Sequence, residues 1–194
     1  MLTCLTGQPR TVGRVADDDV KITPMGLEHL RQVRDLGRQV YDVTVKPYTS
    51  WSLTSIAEHL DTDEGACWVA LVDDRVVGFV LGSMTFELRD DWAYLEWIAV
   101  APEQQGKGIA RRLVDVCCNA LFAAGATRVV TDVEETNHAS AALMERSGFT
   151  AATTVTLFTR ANPEGPDEPA GVAPAAGSRR TLIRSGRLVG DKRS

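Results

Sequence analysis

Residues 93–113 read AYLEWIAVAPEQQGKGIARRL. The first eight are apolar and rich in aromatic and β-branched side chains, with one carboxylate, Glu96, in their midst, and that pattern predicts a strand. The strand ends at Val100, before a proline and a polar loop with glycines at 106 and 108. Beyond the loop Ile109, Leu113, Val116, Cys117, Ala120, Leu121 and Ala124 recur at helical spacing, and Gly125 stands where a helix commonly stops. The order strand, glycine loop, helix has a chemical consequence. The first turn of a helix leaves several backbone N–H groups without partners and carries about half a positive charge, so an anion is stabilised there. Glycine at 106 and 108 removes the Cβ atoms that would hold an anion away from the backbone. The loop reads as a diphosphate cradle, with a bare strand-to-helix turn as the alternative.

Working outward, DVKITPM (19–25) predicts a short strand, and residues 26–41 place Leu27, Leu30, Val33, Leu36 and Val40 on one helical face. SLTSIAEHL (52–60) predicts a shorter helix capped by Ser52 or Thr54. CWVALV (67–72) and VVGFVLGSM (76–84) flank Asp73-Asp74-Arg75 as a hairpin, and with residues 93–100 they make an antiparallel meander. Downstream, RVVTDV (128–133) predicts a buried strand, NHASAALMERSG (137–148) a short helix, and FTAATTVTLFTR (149–160) a further strand or hairpin.

The chain of 194 residues is long enough for one domain and a tail. Apolar residues make up 44% and charged residues 24%, the composition of a folded protein. A net charge of -5 argues against non-specific nucleic-acid binding and suits either solubility or a cationic substrate. No run approaches the length of a membrane span, and the amino terminus lacks the apolar core of a signal peptide, so no membrane is expected and the cytoplasm is the expected compartment. Residues 1–18 read as a flexible leader. Residues 161–194 read as a Pro/Ala/Gly-rich linker and a basic tail, expected to be disordered, to add an edge strand through TLIRSGRLV, or to bind an acidic partner. Six basic and four acidic residues give this tail +2 and leave -7 on the preceding 160. Cys4, Cys67, Cys117 and Cys118 show no metal-ligand or disulfide spacing, so reduced thiols and no metal are expected.

Dinucleotide and Walker A spacings are both absent from the glycine loop. Gln105-Gly106-Lys107-Gly108-Ile109-Ala110 instead resembles the Q/R-x-x-G-x-G/A signature of the GNAT superfamily of N-acetyltransferases. NHASAALMERSGF resembles that family's N-x-x-A-x-x-L-Y-x-K/R-x-G-F helix, and the order of elements agrees over residues 19–160. The resemblance implies an α/β (α+β) fold, with a mixed, mainly antiparallel central sheet of about six or seven strands flanked by about four helices. It implies direct transfer of an acetyl group, in a ternary complex, from acetyl-CoA as co-substrate to a primary amine of a small molecule or protein. The protein would be a monomer or homodimer. An acyl-CoA-binding sensor or interaction module without efficient catalysis is the alternative.

By the same resemblance, residues Gln105 to Ala110 hold the pyrophosphate, Ile98, Ala99 and Val100 meet the thioester oxygen and the pantetheine, and Asn137 contacts the pantetheine or simply caps its helix. The family usually has a tyrosine, seven residues after that asparagine, which protonates the CoA thiolate; this chain has Met144. A thioether donates no proton, which leaves water or another phenol such as Tyr41, Tyr48 or Tyr94.

An amine with a pKa near 10.4 is almost wholly protonated at pH 7 and must lose a proton before it attacks. Glu96 is the expected base, since a carboxylate inside an apolar strand is costly unless used, solvated or paired with an arginine. Trp97 is expected in the core, and His138 on the surface of the first turn of its helix. Tyr41, Tyr48 and Trp51 could wall the amine site by cation–π contact, or pack onto the core. A protein amino terminus, a polyamine, an amino sugar or antibiotic, and an amino acid all remain open as acceptors.

Overall fold

The computed structural model describes residues 20–41, 51–60, 66–84, 86–87, 89–156, 160 and 162–163. The leader, Cys4, Tyr48 and nearly all of 161–194 lie outside the described residues. Five strands form one sheet in the order β1 (Lys21–Pro24), β2 (Trp68–Val72), β3 (Arg75–Ser83), β4 (Trp92–Val100), β5 (Arg128–Val130). The first four are antiparallel and β5 is parallel to β4. Four helices accompany them: α1 (Leu30–Val40), α2 (Leu53–Glu58), α3 (Ile109–Ala123) and α4 (His138–Arg146).

The fold is the mixed, mainly antiparallel α/β arrangement expected. Residues 150–156, read above as a further strand or hairpin, are exposed throughout and carry no strand. Thr and Val favour strands, but these side chains are small and all exposed, so little apolar burial rewards pairing; residues 157–159 lie outside the described residues.

Helix α3 covers one face of the sheet and α1 the other. Val80, Leu95 and Val100 join Ile109, Leu113, Cys117 and Leu121 under α3, while Phe79, Leu81 and Ala99 join Val33, Leu36 and Trp51 under α1. Local chemistry sets the ends of these elements. Asp73 and Asp74 both take positive φ, 50° and 59°, as a two-residue hairpin turn with the right-handed twist of its strands requires. The Ser52 hydroxyl accepts the Ser55 N–H at 3.1 Å and caps α2. Helix α3 closes with Gly125 N–H to Phe122 O and Ala126 N–H to Leu121 O, the paired bonds that satisfy its last carbonyls.

Helix α1 starts later than its apolar spacing suggests. Leu27 to His29 form a separate 3-10 turn, fixed where Gly26 N–H donates to His29 Nδ1 at 2.9 Å. The face predicted from 26 to 41 is thereby interrupted: Leu27 is 72% and Val40 37% exposed, and only Val33 and Leu36 of the five are buried. Gly37, on the same helix, lies against the Trp51 ring, where a Cβ would overlap the indole. Gly37→Ala should therefore destabilise the protein despite a helix propensity gain of about 1 kcal/mol. Displacing Trp51 costs its stacking on Phe79, 5.3 Å between centroids, and its Nε1–H bond to Arg34 O at 2.8 Å. Overpacking of this kind costs about 1–3 kcal/mol, so a net loss of about 2 kcal/mol is expected in denaturant titration. A gain in stability would show that the Trp51 slot relaxes freely.

The feature that shapes the site is a bulge in β4. Leu81 pairs with Trp97 and Gly82 with Leu95, so Glu96 is the extra residue with no opposite number on β3. In a regular strand Leu95 and Trp97 would share a face. Here Leu95 packs under α3 and Trp97 against the α1 cluster. The carboxylate at the centre of an apolar strand thus sits where the ladder is interrupted.

Candidate active site

Three pieces of backbone converge after the bulge. Strand β5 pairs with β4 only from Trp92 to Tyr94, so the β5 side of Leu95–Val100 has no strand partner among the described residues. At the end of β4, Ala101 N–H donates to Val77 O at 2.8 Å, and Gln105 Nε2 reaches back to Val100 O at 3.2 Å, which ties the loop to the strand. Gly106 and Gly108 then take φ values of 76° and 75°, left-handed conformations that favour glycine.

Gly108 is the residue before α3 and offers no capping side chain. The first intrahelical bond is Arg112 N–H to Gly108 O at 3.1 Å, so the N–H groups of Ile109, Ala110 and Arg111 precede the ladder. A Cβ at Gly106 or Gly108 would meet nothing within 4 Å, so the space over both is open. Ile109 is buried and anchors the turn from beneath, while Lys107 Nζ donates to Gln104 Oε1 at 2.6 Å across the loop. Open space, left-handed glycines and leading N–H groups fit a diphosphate.

Among the described residues, Glu96 meets a histidine, a partner that the sequence alternatives of solvent or an arginine did not include. Its Oε2 lies 2.8 Å from His59 Nε2, with the two side chains 13% and 11% exposed. His59 Nδ1 lies 2.8 Å from Ser55 O, one turn back. His59 was missed in the sequence, although it falls three residues after the buried Ile56 and so shares the inward face of α2. Cys67 completes the surroundings, its thiol donating to His59 O at 3.6 Å. Burial, opposed by the Gly82 backbone contact and reinforced by the Glu96 charge, pushes that thiol up to about 11.

The other expected residues divide. Ile98 is half-buried, Ala99 and Val100 are buried, and all three follow the bulge. Asn137 accepts the Ser140 N–H at 3.1 Å and so caps α4. His138 is exposed in the first helical turn, as expected. Met144 is buried in the core under α3 and α4.

Trp51, expected as a wall of the amine site, needs correction. It is buried within the aromatic cluster and its indole N–H is committed to Arg34 O, so it packs the core. Tyr94 donates its hydroxyl to Asp132.

Tyr41 differs from both. Its ring lies 5.0 Å from Trp97 and 5.2 Å from Trp51, and its buried hydroxyl has no hydrogen-bond partner among the described residues. Burial pushes its pKa far up, opposed by the nearby backbone of Ile98, so the phenol keeps its proton. An unpartnered buried hydroxyl costs about 1–3 kcal/mol. Tyr41→Phe should therefore hold or raise stability, by up to about 1 kcal/mol in denaturant titration. A loss of that size would mean that the hydroxyl is bonded in solution.

The chain matches the acetyltransferase (GNAT) family over residues 31–149. Mycothiol acetyltransferase of Beutenbergia cavernae is 36% identical over 99 residues, covering 48% of this chain and 33% of that protein. The chain thus spans about a third of the length of this curated relative. Among solved structures, the aminoglycoside N-acetyltransferase AAC(6')-Iy in complex with CoA superposes with a TM-score of 0.62 at 22% identity, covering 73% of this chain and 94% of that one. The ribosomal-protein-S18-alanine N-acetyltransferase from Escherichia coli gives 0.56 at 22%, over 69% and 79%. Its family match spans both the glycine loop and the bulged strand, and the chain belongs to the acetyltransferase (GNAT) family.

Proposed function

We propose that the protein is an N-acetyltransferase that moves the acetyl group of acetyl-CoA directly to a primary amine in a ternary complex. The observation that carries this reading is the junction of β4 and α3. An open, glycine-lined helix start lies at the end of the strand whose bulge holds Glu96. Residues Gln105 to Ala110 would hold the diphosphate, chiefly through backbone N–H groups. The pantetheine would run beside Ile98, Ala99 and Val100, where β4 has parted from β5, and Asn137 would face it from α4. A backbone N–H at Ile98 would stabilise charge developing on the thioester oxygen. Glu96, directly or through water, would take the amine's proton.

The relatives named above include N-acetyltransferases of an aminoglycoside and of a protein alanine, which share an amino group as acceptor. A cationic amine also suits the acidic body of this chain. No helix among the described residues is long and apolar enough to cross a membrane. Cys67, Cys117 and Cys118 are free thiols, which supports a reducing, cytoplasmic setting.

One observation favours the second reading, an acyl-CoA binder without efficient catalysis. The usual tyrosine position holds Met144, and it is buried. Of the phenols considered in its place, Tyr48 lies outside the described residues, Tyr94 donates to Asp132, and Tyr41 holds an uncommitted proton beside Ile98. The Tyr41 hydroxyl is buried with its pKa pushed far up, which makes it a poor acid toward a thiolate of pKa about 8.5, so water is the better-supported donor.

The test is release of free thiol from acetyl-CoA in the presence of spermidine, kanamycin, glucosamine, or a peptide with a free amino-terminal alanine. Amine-dependent release with a matching N-acetyl product supports the enzyme. CoA binding with no amine-dependent release supports the sensor.

A further inference from the structure

We propose that His59 and Glu96 act as one unit that holds a single proton between Nε2 and Oε2, and that this unit, rather than the carboxylate alone, receives the proton of the acceptor amine. The proposal rests on the reading of Glu96 as the base. Its ground is the geometry of the imidazole, which contacts an acceptor on each side: Ser55 O at 2.8 Å from Nδ1 and Glu96 Oε2 at 2.8 Å from Nε2. A carbonyl oxygen only accepts, so the Nδ1 contact requires a proton on Nδ1. The second contact then has two forms. Either Nε2 also carries a proton and faces a carboxylate, or a bare Nε2 faces a protonated carboxyl.

Both forms contain the same proton and the same total charge. Removing that proton sets a nitrogen lone pair against a carboxylate at hydrogen-bond distance, so the pair titrates together and not as two separate groups.

The catalytic consequence follows from basicity. A lone carboxylate, with an ordinary pKa near 4.3, is a weak match for an amine near 10.4. An imidazole beside a carboxylate binds its proton more tightly than a free imidazole, whose pKa is about 6.5. The deprotonated pair is therefore a stronger base than Glu96 alone. In the step, the amine N–H bond breaks and its proton passes to Glu96, directly or through water, to rest on the Nε2–Oε2 line. The freed lone pair forms the N–C bond as the C–S bond breaks, and the second proton lost by the nitrogen neutralises the departing thiolate, through water, so that CoA leaves as the thiol. The held proton returns to solvent after product release. His59 is thus a positioning residue that acts through Glu96.

The other titratable groups on the elements around the pair include, among the described residues, Cys67, Tyr41, Tyr94 and Glu58. The thiol of Cys67, against His59 O, is pushed up to about 11 and stays protonated. The Tyr41 phenol, beside Ile98, is pushed far up by burial. Tyr94 is hydrogen-bonded to Asp132, and Glu58 is exposed on the outer side of α2.

The first arm of the test needs no acceptor. The chain has three histidines, so the His59 ring signals in a 15N spectrum of the full-length protein are those lost in His59→Gln. The proposal expects Nδ1 to stay protonated while Nε2 titrates with a midpoint at least about one unit above 6.5. Glu96→Gln should pull that midpoint back by a similar amount. A neutral ring protonated on Nε2, or a midpoint that Glu96→Gln does not move, overturns the proposal.

The second arm uses whichever of the four amines supports turnover. The wild-type kcat should rise with pH through the same midpoint. His59→Gln keeps a donor toward Glu96 but cannot release a proton, so this limb should vanish and kcat at pH 8 should fall about 10-fold to 10²-fold. If His59→Gln leaves the profile intact while Glu96→Gln lowers kcat, the shared unit is wrong and the base stands. If Glu96→Gln leaves kcat intact, the base itself is wrong.

Discussion

Glu96→Gln is expected to lower turnover by about 10²-fold to 10⁴-fold at neutral pH while leaving acetyl-CoA affinity near wild type. The substitution keeps size and most hydrogen bonds but removes the basicity, and the glycine loop proposed to hold the diphosphate lies beyond the end of β4, several residues away. The loss should shrink as pH rises toward the pKa of the amine, because the neutral amine then exists without help from a base. The check is a comparison of kcat and acetyl-CoA binding for the two proteins from about pH 6 to pH 9.5. Equal loss at every pH would assign Glu96 to holding the acceptor, and no loss would leave it as a structural partner of His59.

The second large effect is on cofactor affinity. Gly108→Asp should weaken binding of both CoA and acetyl-CoA by about 10²-fold or more, since two unit charges about 4 Å apart near a protein surface interact by about 4 kcal/mol. Stability should change little. An Asp in this position gains the capping and dipole terms of a helix start, which offset the strain of its left-handed φ of 75°. Calorimetric titration and a thermal midpoint on the same sample separate the two effects. Unchanged affinity in a folded variant would remove the loop from CoA binding.

Much of the site could be read from local sequence because its chemistry is local. The strand, the glycine pair and the helix at 93–124 each have their own signal, as do the Asp73-Asp74 turn, the Ser52 cap and Gly125. What the sequence hid is non-local. The bulge at Glu96 is a matter of register between β3 and β4, set by packing on both faces of the sheet and not by the residues of β4 alone. His59 stands 37 residues from its partner, and nothing in SLTSIAEHL says what the inward face of α2 meets. Aromatic residues in a connector look alike in sequence whether they line a site or fill a core. Trp51 turned inward because the missing side chain of Gly37 leaves room for an indole. Leu27 kept the helical spacing but fell in a separate turn fixed by His29, which placed it in solvent.

The most direct measurement of the central claim is a crystal structure of the full chain with CoA and one of the amines. The account predicts the diphosphate on the N–H groups between Gly106 and Ala110, the pantetheine along the β5 side of Ile98–Val100, and the thiol within a few ångströms of Glu96. A diphosphate bound elsewhere, or a pantetheine that does not approach the β4 bulge, would contradict it.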